Sequence, residues 1–175
     1  DDALVLEKKI FEPTSEFRLG IDGIMGGYLL LTGEKGLALI EEKKLADKKV
    51  PFSETYSAMQ ALRFLWQYGD GKFEPERLRR SMRLLLDRPE LADLVIADLA
   101  RWKDWSVQDR LMAMYGKDDY DIPSIKRAVV RYMLACSKDM MAAERDVTNA
   151  TLHLADLEAR DPKTVSDAKR FFFIK

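Results

Sequence analysis

The sequence predicts an all-α fold, and three observations support this prediction. Apolar residues recur at helical spacing almost throughout the chain from Leu19 onward. No run of alternating β-branched residues is long enough to form a strand. Prolines that start helices and glycines that end them occur at short intervals. We therefore expect about nine helices of roughly 11 to 22 residues, joined by short connections and packed as antiparallel hairpins.

The 175 residues fit one globular domain or two very small ones, because a chain of this length buries roughly 70% of its unfolded surface, and we expect a single all-helical domain. Within that single domain, residues 1–18 form a lead-in and residues 19–138 form a series of helical pairs. Residues 139–175 form capping helices at the C-terminal end of the array.

The first pair of helices follows the lead-in. An apolar stripe begins at Ile21 and stops at Gly33, and a second helix carries Leu37, Ile40, Lys44 and Leu45. Six of the nine glycines lie in this region, between Gly20 and Gly36. No strand precedes them and no Lys-Ser or Lys-Thr follows, so their spacing favours close helix packing or a kink over phosphate binding.

Capping residues define the next helices. Ser53 is placed to cap one helix, and Gly69 would end it in the left-handed conformation. Pro75 starts another helix in its first turn. Asp87 and Glu90 have the spacing of a capping box for the helix after that.

The remaining helices are bounded in the same way. Ser106 and Asp109 repeat the capping-box spacing, and their helix ends at Gly116. An acidic residue shortly before a proline starts two further helices: Asp121 and Pro123 start the next one, and Asp161 followed by Pro162 starts the last.

The turns recur with a regular period. Turns within successive hairpins fall at Gly33, Gly69, residues 103–104 and residues 137–138, and turns between hairpins fall at Pro51, Pro89 and Pro123. The intervals of about 34 to 38 residues are typical of α-solenoids built from helical pairs. The sequence thus predicts an α–α superhelix of three to four antiparallel hairpins with a longer C-terminal capping helix.

Residues 121–134 resemble the helix of HEAT-type repeats. Asp121 and Pro123 precede an apolar-basic pair, a small residue and a leucine, and residues 57–65 are similar without the acidic and proline lead. The resemblance covers residues 19–138. It implies a HEAT-like superhelix that offers a concave helical face to partner proteins, and therefore a scaffold or adaptor.

Residues 139–160 depart from the repeat. Met140, Ala143, Val147, Ala150, Leu154 and Leu157 follow the three-four alternation of a coiled-coil seam. The segment Phe171–Ile174 is too apolar to remain in water, so we expect it to dock on the domain, on a continuation of the chain or on another subunit. The C-terminal helix and Phe171–Phe173 are accordingly candidates for an oligomer contact.

Composition excludes several classes of function. Twenty-nine basic and thirty acidic residues leave a net charge of −1, which argues against a general nucleic-acid binder. With one histidine and one cysteine we predict no catalytic residues, no metal and no cofactor. The longest uncharged run, residues 24–33, is too short to span a membrane. We expect a soluble protein, and the first residue, Asp1, is consistent with a trimmed or processed chain whose compartment stays open.

Arginines are the first candidates for a contact face. Ten of the fourteen lie between Arg63 and Arg131. We select Arg77, Arg80 and Arg83, which occupy one helix and are able to receive carboxylates or phosphates. The alternative is that they pair with the many acidic residues of the same segment.

The segment Trp102-Lys103-Asp104-Trp105 is the second candidate. Its two indoles around an acidic residue are able to form a stacking platform, and some HEAT-like DNA glycosylases use such residues on a concave face. In the alternative, Trp102 and Trp105 fill the interface between repeats while Asp104 caps a turn.

The function that we predict is a non-enzymatic protein-interaction or scaffolding module whose partner is another protein. Its contact face would include the three arginines together with Trp102 and Trp105. A nucleic-acid or small-ligand binding domain, with a glycosylase-like activity at the Trp102, Asp104 and Trp105 turn, is the alternative. A compact bundle with an apolar pocket lined by some of the eight methionines is a third possibility.

Overall fold

The computed structural model describes residues 2–14 and 16–170. It is 78% helical, and no strand occurs in the described residues, so the all-α prediction is confirmed. Ten α-helices are formed within those residues, close to the number that the sequence predicts. Several are shorter than expected, because single turns of 3-10 or π helix interrupt the α-helical pattern.

The chain divides into two compact units, Asp1–Leu85 and Leu86–Lys175, which we call unit 1 and unit 2. The helices of unit 1 are α1 (Asp2–Phe11), α2 (Ile21–Thr32), α3 (Glu34–Ile40), α4 (Phe52–Tyr68) and α5 (Pro75–Leu84). The helices of unit 2 are α6 (Pro89–Arg101), α7 (Gln108–Met114), α8 (Pro123–Ser137), α9 (Glu144–Arg160) and α10 (Pro162–Arg170).

In unit 1, α2 packs against both α1 and α4. Two glycines permit close approach, as predicted for this region. A Cβ atom on Gly26 would lie 3.0 Å from Cδ1 of Phe64 on α4, and one on Gly36 would meet the ring of Tyr28. Gly23, by contrast, has open space beside it.

A buried ion cluster connects the lead-in to the rest of unit 1. Helix α3 continues as a π-helical turn, Glu41–Leu45, that brings Lys44 into the interior. Lys44 Nζ lies 2.8 Å from Oε2 of Glu54, a carboxylate that also accepts a hydrogen bond from Arg18 Nε at 2.9 Å. Arg18 donates to the carbonyls of Lys9 and Ile10 at the end of α1 as well. One buried carboxylate thus holds together the lead-in, the π turn and α4.

In unit 2, α8 is the central helix and contacts α6, α9 and α10. Val129, Val130, Tyr132 and Met133 of α8 are almost completely buried. Another face of α8 carries smaller and charged side chains that are half-buried, among them Arg127, Ala128 and Arg131.

Several predicted boundaries are confirmed. Pro75, Pro89 and Pro123 each occupy the first turn of a helix. Gly33 separates α2 from α3 with a φ of 61°. Asp161 caps α10, since its Oδ1 accepts a hydrogen bond from the Thr164 amide at 3.3 Å.

Two predicted caps around α4 are wrong. Ser53 is the second residue of the helix, which begins at Phe52 after Pro51. Gly69 has a φ of −73° and stays right-handed, and the left-handed positions are Asp70 and Gly71. The chain turns one residue later than predicted, because the Gly69 amide still donates to the Leu65 carbonyl.

The two capping boxes are also wrong. Arg88 occupies the N-cap of α6 without a side-chain cap, and Asp87 belongs to a 3-10 turn with its carboxylate directed to Arg110. Ser106 lies inside another 3-10 turn, where its amide and hydroxyl both donate to Asp104. At the first box, the Asp87 carboxylate pairs with Arg110 instead of capping α6. At the second, Asp104 accepts the hydrogen bond from the Ser106 amide that Asp109 would accept in a capping box.

The predicted seam is only partly present, because α9 begins at Glu144. Ala150 and Leu157 are buried, whereas Met140 is 97% exposed and lies in the preceding turn. Asp139 holds that turn out of the helix, since its carboxylate accepts a hydrogen bond from the amide of Met141 at 3.1 Å. The predicted docking of Phe171–Ile174 lies outside the described residues.

Candidate functional site

The Trp102–Trp105 turn is a packing element of unit 2. Trp102, Asp104 and Trp105 are 5%, 2% and 8% exposed. A macromolecular partner needs side chains that water reaches, so these three do not form the predicted contact face. Their burial is the arrangement that the packing alternative predicts.

Hydrogen bonds explain why this turn is buried. The Asp104 carboxylate accepts from the Ser106 hydroxyl at 2.7 Å and caps the following turn, as the packing alternative predicts. The Trp105 indole donates to Asp139 at 2.9 Å, and its ring meets the edge of Tyr132 with 5.2 Å between centroids. The Tyr132 hydroxyl in turn donates to the Asp104 carbonyl. The acidic residue and both indoles are therefore committed to the core of unit 2.

The three selected arginines lie in unit 1 and have different environments. Arg77 is held by two carboxylates, because its Nη2 lies 2.9 Å from Glu41 and its Nε 2.8 Å from Glu34. Hydrogen bonding to Glu41 raises the pKa of Arg77 further above its ordinary value. This residue follows the pairing alternative.

Arg83 and Arg80 are more accessible. Arg83 Nη1 forms an ion pair with Glu76 at 2.8 Å, one that the pairing alternative also predicts. Arg80 is exposed. Of the six residues selected from the sequence, Arg80 is thus the one that presents its side chain most openly to a partner.

A groove between α6 and α8 is a concave site of unit 2. Its volume is about 430 Å³. Each helix contributes a stripe of residues at helical spacing, which runs over Asp93, Leu94, Ala97, Ala100 and Arg101 on α6, and over Ser124, Arg127, Ala128, Arg131, Tyr132 and Ala135 on α8. Four of these eleven residues are alanine, so the two helices leave a depression where larger side chains would fill the space.

The charged groups of the groove are mostly positive. Arg101, Arg127 and Arg131 face one carboxylate, that of Asp93, among the lining residues. Arg131 Nε donates to the Ala168 carbonyl of α10 at 3.4 Å, and Arg101 Nη1 lies 2.8 Å from the buried Asp98. These contacts hold two of the guanidinium groups through one nitrogen each, out of the three nitrogens that a guanidinium has.

The lining of the groove contains neither cysteine, histidine, lysine nor glutamate, and its titratable side chains are those of Asp93, Tyr132 and the three arginines. Across residues 2–14 and 16–170, no three His, Cys, Asp or Glu side chains are grouped to hold a metal ion. Within the same residues, none of the helices has the length and apolar character needed to cross a membrane.

The methionines do not line this groove. Met25, Met59, Met82 and Met133 are fully buried in the cores of the two units. The predicted methionine-lined pocket is therefore not the site that α6 and α8 form.

The groove was not predicted from the sequence, because alanines within a helix do not by themselves indicate a binding site. Ala97 and Ala100 on α6, and Ala128 and Ala135 on α8, recur three or seven residues apart. That spacing places small residues on one face of each helix. The signal becomes meaningful only when the two faces are known to adjoin, which the sequence does not show.

The sequence matches no protein-family model, and neither the curated proteins nor the solved structures contain a significant match. The HEAT-like family therefore stays a prediction from the residues quoted above.

Proposed function

We propose that the protein is a non-enzymatic interaction module that binds a helical segment of a partner protein in the α6–α8 groove. The observation that carries this proposal is the alanine-lined groove itself. Because Ala97 and Ala128 are short, a third helix is able to approach α6 and α8 closely and place its own larger side chains between them.

The size of the groove limits the expected affinity. Each leucine that a partner buries fully contributes about 1.5–3 kcal/mol, so two anchors contribute roughly 3–6 kcal/mol before the cost of association. Charged contacts at the rim add to this. The upper figure of about 6 kcal/mol corresponds to a dissociation constant of about 40 μM, so we expect a short segment to bind with a dissociation constant of tens of micromolar or weaker.

A braced helical peptide tests the proposal. We would use a 16-residue peptide of alanine and glutamine with leucines along one face and a lactam bridge, since unbraced helices of this length are marginal in water. Fluorescence anisotropy reports binding to the full chain. Ala128→Leu, which fills the groove, should weaken binding at least about tenfold, because one blocked anchor is worth more than 1.4 kcal/mol.

Ala155→Leu is the matched control, because Ala155 is exposed on α9 and does not line the groove. It should bind the peptide like the original protein. Equal binding to all three proteins, or binding to none, contradicts a helix-docking function for this groove.

The volume of the groove favours a small amphipathic ligand as a second candidate. About 430 Å³ falls within the range of roughly 300–1,000 Å³ that is typical of small-molecule sites. Calorimetry with dodecanoate distinguishes the two candidates. If dodecanoate binds saturably, Ala128→Leu abolishes that binding and the helical peptide does not bind, the small ligand is favoured.

A further inference from the structure

We infer that the α6–α8 groove selects an acidic amphipathic helix, whose carboxylates bind Arg127 and Arg131 while its apolar face covers the alanines. This inference rests on the docking function proposed above and specifies the partner's chemistry. Three observations support it: the sign of the charge, the spacing of the arginines and the way they are held.

The sign of the charge points to an acidic partner. Three arginines and one aspartate line the groove, in a chain whose overall charge is −1. Arg101 is paired with Asp98, so the positive charge that a partner meets in the groove comes mainly from Arg127 and Arg131. An acidic segment gains from it, whereas a basic segment brings like charges together.

The spacing of the arginines matches one turn of a partner helix. Arg127 and Arg131 are four residues apart on α8, and their side chains project from the same face about one turn, or roughly 6 Å, apart. Two carboxylates spaced three or four residues apart on a docked helix have the same separation. Arg101, at the C-terminal end of α6, adds a third guanidinium on the other helix of the groove.

The surroundings of the arginines favour carboxylates. Arg127 and Arg131 are half-buried, so their stems lie along the apolar lining and water screens them less than it would screen an exposed lysine. Arg131 donates to the Ala168 carbonyl through Nε, so this contact does not use its Nη donors. A guanidinium binds a carboxylate through two parallel hydrogen bonds, which a point charge does not provide.

Three braced peptides test this inference on the full chain. They share one leucine face and differ only at two flanking positions four residues apart, which carry glutamate, glutamine or lysine. We expect the glutamate peptide to bind about five- to tenfold more tightly than the glutamine peptide, and the lysine peptide to bind most weakly. Raising the salt concentration from about 0.05 to 0.5 M should weaken the binding of the glutamate peptide alone, because salt shortens the screening length severalfold and reduces the attraction between its carboxylates and the arginines.

Variants of the protein identify the groups responsible. Arg127→Gln should reduce the advantage of the glutamate peptide without removing it, because Arg131 still binds one carboxylate, and Arg127→Glu should weaken the glutamate peptide further relative to the lysine peptide. Arg145→Glu makes the same charge change on α9, where the side chain is 86% exposed and outside the groove, and should leave the order unchanged.

The results separate this inference from the docking function. If the glutamine peptide binds and Ala128→Leu blocks it, but the three peptides bind equally, the groove docks helices and the acidic preference is wrong. If no peptide binds, the docking function is wrong as well. Self-association that Ala128→Leu abolishes would assign the groove to a second copy of this chain and overturn the inference.

Discussion

Glu54 provides the sharpest test of how unit 1 is held together. Its side chain is 8% exposed and forms ion pairs with two cations, Lys44 and Arg18, whose side chains are each 11% exposed. Glu54→Gln removes the negative charge with little change in shape. Both cations then stay in the interior without their counter-charge, and breaking a buried ion pair in this way costs about 3–5 kcal/mol.

Urea unfolding followed by circular dichroism measures this effect. With a slope of about 2 kcal/mol per molar urea, a loss of about 4 kcal/mol lowers the midpoint by about 2 M. Glu12→Gln is the matched control, because Glu12 pairs with Lys9 at a surface where both side chains are more than half exposed. An exposed pair contributes about 0–1 kcal/mol, so the control should shift the midpoint only slightly.

A second substitution distinguishes charge from packing. Lys44→Met in the Glu54→Gln background removes one of the uncompensated cations, so the double variant should be more stable than Glu54→Gln alone. If Glu54→Gln and Glu12→Gln lower the free energy of unfolding equally, or if Lys44→Met adds a further full loss, the buried cluster does not stabilise unit 1 as we infer.

The same cluster predicts a response to acid. Burial by itself raises the pKa of Glu54, but hydrogen bonds and charges from Arg18 and Lys44 outweigh burial, so the pKa lies below its ordinary value. A carboxylate whose pKa is lower in the folded state contributes stability above its unfolded pKa of about 4.3 and loses it as the pH falls through the folded value. Unfolding measured between about pH 6 and pH 3 should therefore show a shallower loss of stability in Glu54→Gln than in the original protein.

Other predictions concern local packing and reactivity. Gly23→Ala should raise the free energy of unfolding by about 0.5–1 kcal/mol, since open space surrounds that helical position, whereas Gly26→Ala brings a Cβ against an aromatic ring and should gain nothing or lose stability in the same urea assay. Burial raises the pKa of the Cys136 thiol to about 11, so Ellman's reagent should react with it slowly at pH 8 and rapidly in urea; fast reaction of the folded protein would contradict its burial. Tyr132→Phe leaves the buried Asp104 carbonyl without its donor and should cost about 1–3 kcal/mol, which thermal or urea unfolding would detect.

Helix boundaries were predictable where one residue decides the backbone. Pro75, Pro89 and Pro123 fix φ and lack an amide hydrogen, so the first helical turn accommodates them whatever the rest of the chain does. Capping boxes were not predictable, because a cap requires an oxygen with no better partner. Asp87 has Arg110 as its partner, and Asp104 reaches the Ser106 amide first.

Only one member of the buried ion cluster, Lys44, was predictable from the sequence. Lys44 falls on the apolar stripe of the second predicted helix, which indicates that its side chain turns inward. A buried lysine needs a counter-charge, but the pattern alone does not select Glu54 among the eleven acidic residues of the first sixty. The partner is chosen by the π-helical turn, which no local signal predicted.

The candidate site reverses the usual expectation about where binding residues are found. Large aromatic residues dominate interface hot spots, and this expectation drew attention to Trp102 and Trp105. Both indoles instead fill the interior of unit 2, while the groove is lined by alanines that bury little surface of their own. In the docking that we propose, the large apolar anchors come from the partner, and the chain supplies the depression and the guanidinium groups around it. In such an interface Arg127 and Arg131 bind carboxylates more strongly when a docked helix excludes water around them. We therefore expect the effects of Ala128→Leu and Arg127→Gln to be less than additive in free energy. In the double variant, the dissociation constant of the glutamate peptide should rise by less than the product of the two separate fold-changes, because each substitution removes part of the interaction that the other affects.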